Sequence, residues 1–219
     1  MSRPPFVVFD LDGTLIDGYA AIGDALAFAM ERLGEPALPP ETVRAMVGHG
    51  LERLVEQAVG PERAAEGVRL FRERYPEVAV ERSHLVPGAR ETLEALAASG
   101  HAMALASNKP ARFSRLILDA KGVGHHFTGI GGPDEATRPK PDPAMLRRLI
   151  EDAGARAGET VVVGDMEVDF EFARAGGCAI VLVPGGSRPR EALEALAPDA
   201  LLDRITALPG FLAGFAGRK

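Results

Sequence analysis

Four short runs of apolar and β-branched residues recur along the chain, each ending in polar residues or glycine and followed by helix-like sequence. Such alternation is typical of βαβ units, in which helices connect parallel strands. It predicts an α/β fold with a Rossmann-like, doubly wound parallel sheet. Ligands bind such a sheet at the carboxyl ends of its strands, so the residues after each run matter most. The runs are Phe6–Phe9, Ala102–Ala106, Val161–Val163 and Ala179–Val183.

The sequence between these runs has helical periodicity. Arg90–Ala98 places its leucines on one face, and Gly100 suits the position just after the helix ends. Arg112–Lys121 and Pro143–Ala153 show the same spacing of apolar residues. Each segment therefore predicts a helix that connects two strands.

The stretch from Asp17 to His84 breaks the alternation, because it offers helical periodicity without a convincing strand. We interpret residues 17–84 as an inserted helical cap domain, and residues 1–16 and 85–219 as the α/β core. The proline and glycine within residues 85–88 indicate the return to the core. The predicted cap helices are Ala20–Leu33, Pro40–Val47, Leu51–Val59 and Pro61–Tyr75.

Composition and charge argue against several classes of partner. The 219 residues are 46% hydrophobic and 26% charged, which is typical of a globular protein with a packed core. The net charge is −6 and the basic residues are scattered, which argues against nucleic-acid binding. The apolar run near the start is too short for a signal sequence or a membrane span. We expect a cytoplasmic protein without a membrane partner, either a monomer or a homodimer, in which the single cysteine, Cys178, is buried.

The first strand ends in two carboxylates. Residues 10–15 read DLDGTL, so Asp10 and Asp12 stand two positions apart before a glycine turn. Two acids at the carboxyl end of a strand favour a metal or phosphate site. From this spacing alone, the alternative is that Asp12 or Thr14 caps the next helix.

Polar residues also follow other predicted strands. Ser107 closes the second one, where its hydroxyl could bind a phosphoryl oxygen or cap the next helix. Lys140 lies between two prolines in a stiff loop, although a lysine in such a turn, taken alone, is more typical of a solvated surface. Asp165 and Asp169, four residues apart at the end of the third run, suit an oxygen-ligated cation such as Mg²⁺.

Taken in order, these segments resemble the four motifs of the haloacid dehalogenase superfamily, and the resemblance covers nearly the whole chain. It implies a core with a C1-type helical cap, Mg²⁺ as cofactor and a small phosphorylated metabolite as substrate. The matching strings are DLDGTL at 10–15, SNK at 107–109, KPDP at 140–143 and GDMEVD at 164–169.

The resemblance also implies roles for the acidic residues and for the lysine between the prolines. Asp10 would be the nucleophile, Asp12 the general acid and base, and Lys140 the cation that offsets phosphate charge. This division has a physical basis, because an ionised carboxylate can attack without a base whereas the leaving alkoxide needs a proton. The implied metal ligands are Asp10, the backbone carbonyl of Asp12, and Asp165, with Asp169 as a nearby supporting carboxylate.

Substrate contacts from the core are implied for Thr14, for the Ser107 hydroxyl and for the Asn108 backbone amide, with Lys109 at the edge of the site. From the cap, we predict that Gly48 and its neighbours approach the site. Specificity is expected to reside in the cap, where His49 or Arg53 would bind a substrate carboxylate. The alternative for Arg53 is a solvated helix face.

Several activities of the superfamily can be compared with these residues. Asp12 argues against haloalkanoate dehalogenation, and the absence of lysine from residues 17–84 argues against phosphonoacetaldehyde hydrolysis. The chain most resembles phosphoglycolate phosphatases, which predicts hydrolysis of a small phosphomonoester through an aspartyl-phosphate. An inorganic pyrophosphatase, a sugar phosphatase or phosphomutase, and a non-catalytic phosphate-binding regulator remain alternatives. One departure is that Met166 stands where this branch commonly has a small hydroxyl residue, with Glu167 beside it.

Overall fold

A parallel sheet forms the centre of the molecule in a computed structural model, which describes residues 4–135 and 138–217. Six strands pair in the order β5-β4-β1-β6-β7-β8, and every pairing between neighbours is parallel. The strands of the described residues are β1 (Phe6–Phe9), β2 (Ile16–Asp17), β3 (His84–Leu85), β4 (Met103–Ala106), β5 (Phe127–Gly131), β6 (Thr160–Gly164), β7 (Ala179–Leu182) and β8 (Ala200–Leu201).

Helices cover both faces of this sheet, which confirms the doubly wound fold. Val7 and Phe9 of β1 belong to one apolar cluster, whereas Phe6 and Val8 belong to the other, as alternation along a strand requires. Helices α5, α6 and α10 pack on the first face, and α7, α8 and α9 on the second. These core helices are α5 (Ala89–Ala98), α6 (Ala111–Ala120), α7 (Ala144–Asp152), α8 (Glu167–Ala175), α9 (Arg190–Ala195) and α10 (Leu208–Ala213).

The inserted segment forms a helical cap. It leaves the core after β2 and returns through β3, and these two short strands pair antiparallel, with Ile16 opposite Leu85. The pairing joins the segment that enters the cap to the segment that leaves it. The cap helices are α1 (Tyr19–Arg32), α2 (Pro40–Met46), α3 (Leu51–Val59) and α4 (Pro61–Val78). Helices α1 and α3 pack on α4, and α2 packs on α1.

Two elements of the sheet escaped the sequence prediction. Strand β5 reads FTGIG, and its glycines interrupt the apolar run that would have indicated a strand. The structure explains them: a Cβ at Gly131 would lie 2.7 Å from Met145 Cγ, so the absence of a side chain lets α7 pack closely. Strand β8 has only two residues and offers no periodicity.

Several predicted boundaries shift by one to three residues. Ala102 and Val183 lie outside β4 and β7, respectively. Helix α4 continues to Val78, past Pro76, where the prediction ended it at Tyr75, and the side chains of Tyr75 and Val78 are buried in this last turn. Cys178 is fully buried, as predicted. Among the described residues, every helix is too short or too polar to cross a bilayer.

Candidate active site

The chemically important residues meet where three neighbouring strands end. Asp10 directly follows β1, Ser107 follows β4 and Asp165 follows β6. Because β4, β1 and β6 are adjacent and parallel, their carboxyl ends form one edge of the sheet. This is the edge at which doubly wound folds bind ligands.

Lys140 is buried in this acidic cluster. Its ammonium donates to Asp10 Oδ1 at 2.5 Å and to Asp169 Oδ1 at 2.7 Å, and the residue is only 4% exposed. The loop that carries it is held by Asn108, whose amide accepts from Lys140 N at 2.7 Å and donates to Lys140 O at 3.1 Å. The surface alternative considered for Lys140 is therefore wrong in this structure.

Burial among like charges perturbs the titration of the carboxylates. Burial raises the pKa of Asp10 to about 7; Lys140 lowers it, but not enough to compensate, and Asp169 raises it further. The pKa of Asp165 is also raised well above its ordinary value, first by burial and then by Asp10 and Asp169. Three buried carboxylates thus share one ammonium, an excess of negative charge that favours binding of a divalent cation.

Asp165 has an oxygen with the properties of a metal ligand. Its Oδ1 accepts a hydrogen bond from Thr14 Oγ1 at 3.1 Å, whereas its buried Oδ2 has no hydrogen-bond partner among the described residues. Ligand atoms of Asp10, Asp165 and Asp169 lie within 4.8 Å of one another. An unpartnered carboxylate oxygen in such a cluster suits a hard cation that binds oxygen, such as Mg²⁺.

Asp169 has a different environment, because both of its oxygens are already used within the protein. Oδ1 accepts from Lys140, and Oδ2 accepts from the backbone amides of Asp165 at 3.1 Å and of Met166 at 3.3 Å. These contacts orient Lys140 and the loop that carries Asp165. The geometry therefore favours the supporting role predicted for Asp169.

Thr14 lies behind the site and not in the substrate cavity. It is 1% exposed, and its hydroxyl donates a hydrogen bond to Asp165, so the predicted contact with substrate is replaced by a contact with a candidate metal ligand.

The helix-capping alternatives considered for Asp12, Thr14 and Ser107 also fail. Helix α1 begins at Tyr19 without a side-chain cap, and the first amide of α6 is bound by Asp134, not by Ser107.

Lys109 lies inside the site, which corrects its predicted position at the edge. Its ammonium donates to Asp12 Oδ1 at 2.7 Å, and the residue is only 9% exposed. Burial by itself lowers the pKa of Lys109, but the neighbouring Asp12 carboxylate and the Tyr75 hydroxyl together outweigh this effect, and the pKa is raised. The sequence offered a usable signal here, since the chain has only four lysines and this one follows a strand end.

The cap approaches the site through Gly48, which lines the cavity. The Gly48 carbonyl accepts from Asn108 Nδ2 at 2.9 Å, and a Cβ at this residue would collide with Met166. Its φ of +132° is a second reason for glycine at this position. Met166, which departs from the usual motif, thus packs against the cap.

The other two cap candidates lie outside the cavity. His49 Nε2 is 3.7 Å from Glu167, which also binds Arg188, so Glu167 contributes to a surface network and not to the acidic cluster. Arg53 has a side chain that is 60% exposed and lies 3.7 Å from Glu56. The structure therefore brings neither side chain to the position predicted for a substrate carboxylate, because the helix that carries Arg53 turns it to solvent.

A cavity of about 810 Å³, part of it open to solvent, separates the cap from the strand ends. The core supplies Asp10, Asp12, Ser107, Asn108, Lys109 and Lys140 to its wall. Gly48, Leu54, Phe71 and Tyr75 are among the residues that the cap contributes. Fold and site together define the class of the protein: a capped, doubly wound α/β protein with a buried acidic site at the strand ends.

Comparison with known proteins identifies the family. The profile of the family described as "Haloacid dehalogenase-like hydrolase" matches residues 7–183, and the chain belongs to this family. It is 34% identical over 212 residues to a phosphoglycolate phosphatase of Vibrio parahaemolyticus, covering 92% of this chain and 93% of that protein. It is 36% identical over 219 residues to a phosphoglycolate phosphatase of Pseudomonas syringae, covering 95% and 80%, respectively.

Solved structures agree with this assignment. A crystal structure of a predicted phosphoglycolate phosphatase from Haemophilus somnus superposes with a TM-score of 0.88 at 27% identity, covering 96% of this chain and 99% of the other. CbbY from Rhodobacter sphaeroides in complex with phosphate shares the fold, with a TM-score of 0.80 at 20% identity over 94% of this chain and 96% of the other. The chain is a phosphoric monoester hydrolase of the family, in the branch that resembles phosphoglycolate phosphatases.

Proposed function

We propose that this protein is a Mg²⁺-dependent phosphatase that hydrolyses a small phosphomonoester through an aspartyl-phosphate on Asp10. The observation that supports this most directly is the pairing of Asp10 with the buried ammonium of Lys140, at a strand end that opens into the cavity. A carboxylate held there can attack phosphorus while the ammonium offsets charge on the phosphoryl group.

The acidic cluster fits a metal ion. Asp10, the unpartnered oxygen of Asp165 and the backbone carbonyl of Asp12 would hold Mg²⁺, with Thr14 and Asp169 orienting the ligands. When bound, the ion neutralises negative charge on the carboxylates and on the phosphoryl oxygens. That contribution is needed because the nucleophile and the substrate are both anions.

In the first step, an Asp10 oxygen forms a bond to phosphorus while the bond between phosphorus and the ester oxygen breaks. Asp12 gives its proton to that oxygen, so the alcohol leaves neutral. The Ser107 hydroxyl binds a phosphoryl oxygen in this proposal, which its burial on the cavity wall supports. Lys140 stays protonated throughout, because the neighbouring carboxylates raise its pKa in spite of burial.

In the second step, water attacks phosphorus of the aspartyl-phosphate. Asp12 takes a proton from this water, the bond between phosphorus and Asp10 breaks, and inorganic phosphate is released. Asp12 thereby returns to its protonated form, and both carboxylates are ready for another cycle. The cap limits the access of bulk water to this intermediate, which favours the ordered reaction.

The relatives suggest the first substrate to test. Proteins called phosphoglycolate phosphatases match this chain at 34–36% identity over at least nine-tenths of its length. We therefore propose a small phosphorylated metabolite of this kind, 2-phosphoglycolate being the first choice. Sugar phosphates, pyrophosphate and an aryl phosphate complete the panel, because they represent the alternative activities.

The deciding experiment measures phosphate release from this panel with Mg²⁺ and with EDTA, for the wild type and for Asp10→Asn. We expect Mg²⁺-dependent turnover and a loss of at least about a thousandfold in Asp10→Asn, since the covalent step needs the carboxylate. Asp142→Asn is the control, because this carboxylate lies in the same loop as Lys140 but outside the cavity wall. Full activity in Asp10→Asn, with deamidation excluded by mass spectrometry, would contradict the mechanism.

A further inference from the structure

A buried polar group faces the cavity from the cap. Tyr75 on α4 is 2% exposed and lines the cavity, and its hydroxyl makes no hydrogen bond of standard geometry among the described residues, although it interacts with the nearby Lys109 ammonium. Its ring is fixed by Phe71, stacked with centroids 5.2 Å apart, and by Phe113, which meets it edge-on at 5.2 Å. A buried hydroxyl without a hydrogen bond of standard geometry is costly to the fold. A rigid ring that presents such a hydroxyl to a cavity points to a ligand.

A second donor lies beside it. The Lys109 ammonium is 5.5 Å from the centre of the Tyr75 ring and also lines the cavity. An ammonium has three hydrogens to donate and no lone pair to accept, and Asp12 Oδ1 takes one of them. Two buried donors on the same wall are complementary to an anionic oxygen of a ligand.

The position of these donors identifies which part of the ligand they bind. In the proposed mechanism the phosphoryl group lies against Lys140, Asp10 and Ser107, which line the cavity. Lys109 instead contacts Asp12, the residue proposed to give its proton to the leaving oxygen. Lys109 and Tyr75 therefore lie on the leaving-group side. Asp12 is the proposed proton donor to the ester oxygen, and Lys109 contacts Asp12 directly. An anion bound to Lys109 therefore lies close to the ester oxygen.

We propose that Lys109 and Tyr75 form a carboxylate subsite for the leaving group, so that the preferred substrates carry a carboxylate one or two carbons from the phosphoester oxygen. This inference rests on the proposed function, since the role of Asp12 defines the leaving-group side. It assigns to these two residues the recognition that the sequence suggested for His49 or Arg53. It also gives the cap a direct part in specificity, because Tyr75 comes from α4.

The test compares two esters of similar size, 2-phosphoglycolate and ethyl phosphate, which differ in the carboxylate. In Tyr75→Phe we expect kcat/KM for 2-phosphoglycolate to fall about tenfold, mainly through KM, while ethyl phosphate changes by less than about twofold. The melting temperature should change little, because the hydroxyl makes no hydrogen bond of standard geometry in the free protein. Tyr19→Phe alters the only other tyrosine, which lies outside the cavity wall, and should affect both esters alike.

Lys109→Met supplies a second variant. Because Lys109 contacts Asp12, this variant should turn over both esters more slowly. The readout is therefore kcat/KM for 2-phosphoglycolate divided by kcat/KM for ethyl phosphate. We expect this ratio to be as low in Lys109→Met as in Tyr75→Phe, or lower. An unchanged ratio in both variants overturns the subsite. Equal turnover of the two esters by the wild type overturns it as well.

A binding measurement separates the subsite from the chemistry. The two esters are titrated calorimetrically, with Mg²⁺ present, into Asp10→Asn and into the double variant Asp10→Asn/Tyr75→Phe. If the wild type hydrolyses neither ester, the proposed function is wrong. The calorimetric titration then tests by itself whether the carboxylate subsite exists. Tighter binding of 2-phosphoglycolate that is lost in the double variant supports it, whereas equal binding of both esters overturns it.

Discussion

Thr14 and Asp169 illustrate how single residues acquire their roles. Neither presents a free group to the cavity: the Thr14 hydroxyl donates to Asp165, and the Asp169 oxygens accept from Lys140 and from two backbone amides. The motif strings identified both positions, but a string does not specify the direction in which a side chain points. Contacts behind a candidate metal ligand typically tune affinity, not the chemical step.

Thr14→Val tests this role of an orienting hydroxyl. The substitution keeps the shape of the side chain but removes the donor to Asp165, so we expect the Mg²⁺ concentration for half-maximal activity to rise about tenfold or more. Activity at saturating Mg²⁺ should be largely restored. Thr92→Val is the matched control, because Thr92 is equally buried but donates to Gly88 O, away from the site. An unchanged Mg²⁺ requirement in Thr14→Val would contradict the assignment.

The perturbed pKa of Asp10 gives a prediction about stability and pH. Burial raises this pKa from 3.8 to about 7 in the folded protein, so the group stabilises the fold below pH 4 and this contribution is lost as the pH rises to 7 and above. In EDTA, Asp10→Asn removes the buried charge. The melting temperature of the variant relative to wild type should therefore increase from pH 5 to pH 8, by about 2 °C or more. A difference that is constant with pH would argue against the raised pKa.

At the scale of elements, the cap helices followed closely from periodicity, since α3 runs from Leu51 to Val59 as predicted and α1 differs by one residue at each end. Strand β5 did not, because its glycines make room for close packing of α7, the next α-helix along the chain. Periodicity along the sequence therefore predicts an element well when the spacing of its own apolar residues stabilises it, and poorly when packing against another element determines its residues.

Two glycines inside cap helices should respond in opposite ways to alanine. Gly23 in α1 has open space around it, so Gly23→Ala should stabilise the protein by about 0.5–1 kcal/mol through helix propensity. At Gly67 in α4 a Cβ would lie 2.5 Å from Val55 Cγ1, so Gly67→Ala should destabilise it by about 1–3 kcal/mol. Urea unfolding of both variants measures this. The same sign for both would mean that packing between α3 and α4 does not decide the outcome.

At the scale of the whole molecule, the acidic site couples folding to metal binding. The cluster forms only when the ends of β1 and β6 come together, so Mg²⁺ should bind the folded chain far better than the unfolded one. At a concentration a hundred times its Kd, the ion should add about 2.7 kcal/mol of stability. That corresponds to a rise in melting temperature of roughly 5–10 °C for a protein of this size.

Thermal unfolding with and without Mg²⁺ checks this, and Asp165→Asn provides the comparison because it removes a proposed ligand while keeping the shape of the side chain. We expect the variant to lose most of the Mg²⁺-dependent rise. A rise of the same size in wild type and variant would indicate that the ion stabilises the protein elsewhere.

The sequence by itself determined the alternation of strands and helices, the inserted cap and the order of the chemical groups, because these depend on periodicity and on short strings at strand ends. Tertiary structure decided the rest. It turned Arg53 to solvent, placed Lys109 against Asp12, and brought Tyr75 from the cap to the cavity wall. Contacts between residues far apart in sequence depend on how helices pack and on the charge already buried nearby, and neither can be deduced from spacing along one segment.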